Sequence, residues 1–150
     1  MGIFTGFFPC DKIKKKKKVF LGGTCNDSTW RDELIEKLKI DYFNPVVEDW
    51  TPEDGDEEVL QRQICDYCLY TITPEMKGVF SIFEIGDDSN KRPDKTIVCL
   101  IRKANGKRFD IQQWKSLENV AKRAIENGCK VFYDLNDVAN YLNGGQANEE

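Results

Sequence analysis

The chain alternates between two periodicities. Short runs rich in β-branched and aromatic residues occur at KVFLGG (18–23), YFNPVV (42–47), YCLYTIT (67–73), KTIVCLIR (95–102) and CKVFYD (129–134). Between them lie segments whose apolar residues recur at helical spacing. In DSTWRDELIEKLKI, Trp30, Leu34, Ile35 and Leu38 fall on one face, and Asp27 or Ser28 is placed to cap the helix. EEVLQRQICDYC, GVFSIFEIGDDS, IQQWKSLENVAKRAIENG (with Gly128 in the C′ place) and LNDVANYLN supply four more helices. Strands separated by helices at this spacing predict a parallel sheet, because a parallel connection must cross over a face.

The expected fold is α/β: a doubly wound, mostly parallel five-stranded sheet with helices on both faces, a flavodoxin- or Rossmann-like three-layer sandwich. The domain is expected over residues 18–143. An irregular basic arm (1–17) precedes it and a disordered tail (144–150) follows. The arm opens MGIFTG, which nearly matches an N-myristoylation signal, but Gly6 stands where Ser or Thr is required.

Sheets of this class bind ligands beyond the carboxyl ends of their strands, so the segments after each strand carry the candidate site. The first strand runs into Gly22-Gly23-Thr24-Cys25-Asn26-Asp27, which is neither GxGxxG nor a P-loop. Its glycines let backbone approach a ligand, and a helix N-terminus follows; a tight strand–helix turn has the same sequence. After the second strand, Asn44, Asp49 and Trp50 form a plausible platform for a base or a sugar. A capping Asp and a half-buried Trp give the same pattern. Asp66 stands among apolar residues at the start of the third strand. Glu84 lies between Phe83 and Ile85 in an otherwise apolar helix, either at its solvent edge or in a pocket that raises its pKa.

Composition narrows the chemistry. The 150 residues contain no histidine, which excludes Ser-His-Asp and Cys-His hydrolases and histidine-ligated metals. Carboxylate chemistry leads. A net charge of −4 and a pI near 5.1 argue against nucleic acid as a partner. No apolar run approaches the roughly 18 residues of a membrane span, so no stable membrane association is expected and the location is read as cytoplasmic. Six cysteines, at 10, 25, 65, 68, 99 and 129, are expected as free thiols there. The CxxC at 65–68 has no second pair at zinc-site spacing.

The series VFLGGT, TWRDELIEKL, YFNPVVEDW and CDYCLYTITPEMKGVFSIFEIG resembles the nucleoside 2-deoxyribosyltransferase superfamily, over about residues 18–101. It is most similar to the second, nucleoside 2-deoxyribosyltransferase-like branch, whose pattern runs FLaG, WR, fNP..dW and an ElG helix. The resemblance implies that Glu84 is the nucleophile, attacking C1′ of a 2′-deoxynucleoside to form a covalent glycosyl–enzyme. It implies that Asp66 exchanges a proton with the departing base. Gly22, Gly23 and Thr24 would lie beside the sugar, and Asn44, Asp49 and Trp50 beside the base or the sugar's rim. The chemistry needs no cofactor and no metal. A free nucleobase would be the acceptor, and the protein a homo-oligomer. Two positions depart from the better-known branch: Gly78 stands in place of a sugar-fixing Asp, with Glu75 the nearest acid, and Phe20 in place of a Tyr. Two other readings of this pocket are a 2′-deoxynucleotide N-glycoside hydrolase, with Ser81 or the glycine turn holding the phosphate, and a catalytically silent nucleotide-binding module.

Overall fold

A computed structural model describes residues 15–145. Most of the basic arm and of the C-terminal tail expected from sequence lies outside the described residues, as does Cys10. The elements run β1 (Lys18–Gly23), α1 (Trp30–Ile35), β2 (Asp41–Phe43), α2 (Pro52–Ile64), β3 (Tyr67–Ile72), α3 (Phe80–Lys91) and β4 (Thr96–Leu100). A hairpin of β5 (Lys103–Ala104) and β6 (Lys107–Arg108) follows, then α4 (Ile111–Asn127), β7 (Lys130–Phe132) and α5 (Leu135–Leu142).

The main sheet has five strands in the order β2-β1-β3-β4-β7, and every pairing is parallel. Helices cover both faces, as the alternating pattern predicts. Strand periodicity divides the core in two. Phe20, Cys68, Tyr70, Ile72, Val98 and Leu100 pack with Ile85 of α3 and with Leu117, Ala121 and Ala124 of α4. Val19, Leu21, Leu69, Ile97 and Cys99 point the other way, onto Trp30 and Leu34 of α1 and onto Val138, Ala139 and Leu142 of α5. Both sheet faces are therefore buried, which is why these strands read as unbroken apolar runs.

Several boundaries differ from the sequence expectation. β2 stops at Phe43, because Asn44 turns the chain by accepting the Val46 N–H (3.1 Å) just before Pro45 could pair. α1 begins at Trp30 behind Thr29, with neither Asp27 nor Ser28 capping it. The hairpin at 103–108 turns on Asn105 and Gly106, both at positive φ. α2 and α4 each begin with a reciprocal capping box, Thr51/Asp54 and Asp110/Gln113. No helix among the described residues is long and apolar enough to cross a membrane.

Candidate active site

The strand order reverses between β1 and β3, and a cleft opens beyond their carboxyl ends. Its volume is about 530 Å³, within the range of small-molecule sites. The floor is the end of β1 at Gly22 and Gly23. One wall is the start of α3, with Phe80, Ser81 and Glu84. The loop from Pro45 to Trp50, without Glu48 and Asp49, and Glu58 of α2 complete the lining.

The glycine turn serves packing. A Cβ on Gly22 would stand 2.6 Å from the Tyr70 ring, and one on Gly23, at φ +120°, 2.1 Å from the Thr71 carbonyl oxygen. Without side chains the two residues lie flat against β3. The turn is then tied down: the Thr24 N–H donates to the Thr71 carbonyl, and Thr24 Oγ1 accepts the Thr73 N–H, both at 2.8 Å. The WR pair of α1 completes the anchor. Trp30 Nε1 donates to the Thr24 carbonyl (2.8 Å), and the buried Arg31 guanidinium, stacked on the Trp30 ring, donates to the carbonyls of Leu21, Gly23 and Thr24.

Glu84 faces this cleft from inside the fold. Only 8% of the residue is exposed. Its Oε2 stands 3.6 Å from Arg62 Nη1, reaching across from α2. Arg62 is fixed in turn by Asp88, one turn beyond Glu84: Nε and Nη2 donate to the two Asp88 oxygens at 3.1 and 2.9 Å, and Nη2 also reaches Asp87 at 3.0 Å. Asp88 has no exposed surface and also accepts the Tyr70 hydroxyl. A carboxylate this deep needs such partners.

Burial pushes the Glu84 carboxyl up to about 7; the Arg62 guanidinium pulls it back, while Glu58 and Asp88 push it further up. Burial alone would weaken the Arg62 charge, but its hydrogen bond to Asp88 and the surrounding negative groups raise its pKa above the ordinary arginine value. Glu84 is therefore a carboxylate poised at neutral pH beside a permanent cation. It can attack an electrophilic carbon or steady a developing positive charge.

Of the residues expected from sequence, Gly22, Gly23, Thr24, Trp50, Ser81 and Glu84 line the cleft together. Asn44 and Asp49 do not: Asn44 shapes the turn after β2, and Asp49 is exposed beside Trp50. Nor is Asp66 brought to Glu84. It precedes β3 at the amino edge of the sheet, where its Oδ2 accepts the Lys18 N–H at 2.8 Å. The six residue steps from there to Ile72 in the cleft wall span about 20 Å of strand. Gly78 lines the cleft with open space where a Cβ would go. Glu75 is absent from that lining and is buried against Thr73 and Asn105 in a separate recess.

Arg31, Glu58, Arg62 and Asp88 stand outside the set expected from sequence. A faint signal exists for three of them. Glu58 and Arg62 are four apart on α2, as Glu84 and Asp88 are on α3, so each helix carries a charged pair on one face. Nothing in the spacing says that the two faces meet. Cys65 and Cys68 are free thiols that donate into α2, to Gln61 Oε1 and to the Arg62 carbonyl.

No curated protein matches the chain at a significant level. A family model described as nucleoside 2-deoxyribosyltransferase like matches residues 16–104, from the start of β1 through the whole cleft to β5. The chain belongs to the nucleoside 2-deoxyribosyltransferase-like family.

Proposed function

We propose that the protein cleaves the N-glycosidic bond of a 2′-deoxynucleoside and transfers the sugar to another base. The Glu84 carboxylate attacks C1′, the bond to the base breaks, and a glycosyl ester forms on Glu84. A second base then attacks C1′ from the face the first one left and displaces the carboxylate. The transition state has oxocarbenium character, so an anion beneath C1′ lowers its energy; the missing 2′-hydroxyl makes the cation easier to reach. Ser81 and the glycine turn stand on the sugar side, and Trp50 at the cleft's edge offers an aromatic face to the base.

The observation that carries this reading is the setting of Glu84: a buried carboxyl, opening into the cleft at the sheet's switch point, held by Arg62. Transfer between nucleosides is favoured over nucleotide hydrolysis by the fate of Arg31. Among the described residues that line the cleft Arg31 is the only cation, and its guanidinium is tied to three backbone carbonyls, not turned outward for a phosphate. Exposed Val46, Val47, Trp50 and Phe80 rim the mouth, with Phe80 stacked on Phe83 at 5.6 Å. An apolar rim of this kind supports assembly into a homo-oligomer. The free thiols fit a reducing, cytoplasmic setting.

Incubation with 2′-deoxyinosine and free adenine, followed by chromatography, tests the reading. 2′-Deoxyadenosine is the expected product. Hypoxanthine without a new nucleoside would indicate a hydrolase, and binding without turnover a silent pocket.

A further inference from the structure

A second recess, of about 660 Å³, opens beyond the end of β4 and shares no lining residue with the cleft that holds Glu84. Its lining is Arg102, Arg108, Phe109, Asp110, Ile111 and Gln112. The hairpin beside it reads RKANGKR (102–108), so a chain of net charge −4 gathers Arg102, Lys103, Lys107 and Arg108 into one turn. Lys103 and Arg108 stand directly opposite each other across β5 and β6, a pairing of like charges that costs stability. Among the described residues none of these four cations forms a salt bridge.

The arginines elsewhere are spoken for. Arg62, Arg92 and Arg123 each face a carboxylate, and Arg31 is bound to carbonyls. Arg102 is held in another way. Its guanidinium lies 5.4 Å from the centre of the Trp114 ring, which packs in turn against Phe109 and Tyr133. Stacking fixes the plane of a guanidinium without using its N–H groups. Arg102 Nε is buried, and among the described residues it has no hydrogen-bond partner. A buried donor left unpaired is costly unless a ligand meets it. The Asp110 carboxylate is committed to capping α4, where its Oδ1 accepts the Gln113 N–H at 2.8 Å. That capping box leaves the N–H groups of Ile111 and Gln112, in the first turn of this 17-residue helix, facing the end of the recess.

We propose that this recess binds a small phosphate monoester, with the Arg102 and Arg108 guanidiniums as charged donors to its phosphoryl group. The Ile111 and Gln112 N–H groups supply neutral donors to the same oxygens. The recess is far larger than a phosphate ion, and Phe109 and Ile111 give the remainder an apolar lining. That lining suits the organic part of a monoester better than it suits the free ion.

Amide ¹H–¹⁵N spectra of the full chain test this during titration with phenyl phosphate and, separately, with inorganic phosphate, at constant ionic strength. Saturable shifts are expected at Arg102, Arg108, Ile111 and Gln112, and none at Gly22, Gly23 or Ser81. Phenyl phosphate should saturate them at the lower concentration; equal or tighter binding of inorganic phosphate would overturn the monoester assignment. Arg108 is exposed, so Arg108→Ala keeps the fold and should weaken binding by roughly tenfold or more. Arg102→Lys keeps the charge but loses the planar stack on Trp114, and should weaken it as well. Unchanged binding in Arg108→Ala, shifts confined to the Glu84 cleft, or shifts that chloride reproduces at the same ionic strength would overturn the proposal. Glu84→Ala should leave the titration as it is in the wild type, because the recess stands or falls apart from the glycosyl-transfer reading; lost phosphate binding in Glu84→Ala would overturn the separate site.

Discussion

Glu84→Gln keeps the size and shape of the side chain and removes only its ability to ionise. In the unfolded chain the Glu84 carboxyl titrates near its ordinary value of 4.5; in the fold burial lifts it to about 7. The native state therefore holds the proton more tightly. The stability this confers is fully present below pH 4.5 and is lost as pH rises through 7. At about 1.4 kcal/mol per pH unit between the two values, the loss amounts to about 3 kcal/mol. A glutamine cannot ionise, so the variant escapes it, and Arg62 still has Asp87 and Asp88 as partners. Urea unfolding of both proteins at pH 4.5 and pH 8.5 measures the difference, with other titrating groups cancelling between them. The variant should match the wild type within about 0.5 kcal/mol at pH 4.5 and exceed it by about 3 kcal/mol at pH 8.5, while losing activity. A gap that does not change with pH, or a variant less stable at pH 8.5, would refute the account of Glu84 as a carboxylate ionised at a cost to the fold.

Other predictions follow from the same geometry. Base release should rise with pH through about 7 as Glu84 ionises; Arg62→Lys, which loses the two-pronged grip of Asp88, should move that midpoint upward, and an unchanged or lower midpoint in the pH–rate profile would count against Arg62 as the group that steadies the anion. Gly23→Ala combines a strained φ with a clash against the Thr71 carbonyl, so urea unfolding should show a loss of roughly 2–5 kcal/mol; a loss under about 1 kcal/mol would contradict the packing role. Gly78→Asp has open space for its side chain and should change stability by no more than about 0.5 kcal/mol, while its added negative charge raises the Glu84 midpoint; a marked fall in melting temperature would show that the space is not open.

The sheet was legible because β1, β3 and β4 are buried on both faces and carry unbroken apolar runs, while α1 and α4 carry clear helical stripes. Glu84 was legible for the same reason, as a charge in an apolar helix. The hairpin around Asn105 and Gly106 has a recognisable Asn-Gly turn, but strands of two residues have no periodicity to find. Arg62 and Asp88 are hidden for a physical reason: each sits on a helix rich in other charges, and only the meeting of α2 with α3 buries them. Glu58 is hidden likewise in an acidic stretch, where it looks like a solvated residue. Asp66 shows the converse, since an acid near the start of a parallel strand lies at the edge of the sheet opposite to the ligand.

The central claim is that the Glu84 carboxylate bonds to C1′. Its most direct measurement is mass mapping of peptides after the enzyme is mixed with a 2′-fluorinated arabinosyl nucleoside, whose glycosyl ester breaks down slowly, and quenched in acid. The account predicts one added pentosyl group, on the peptide containing Glu84 and on that residue within it. Base release with the sugar attached elsewhere, or attached to no residue at all, would contradict it.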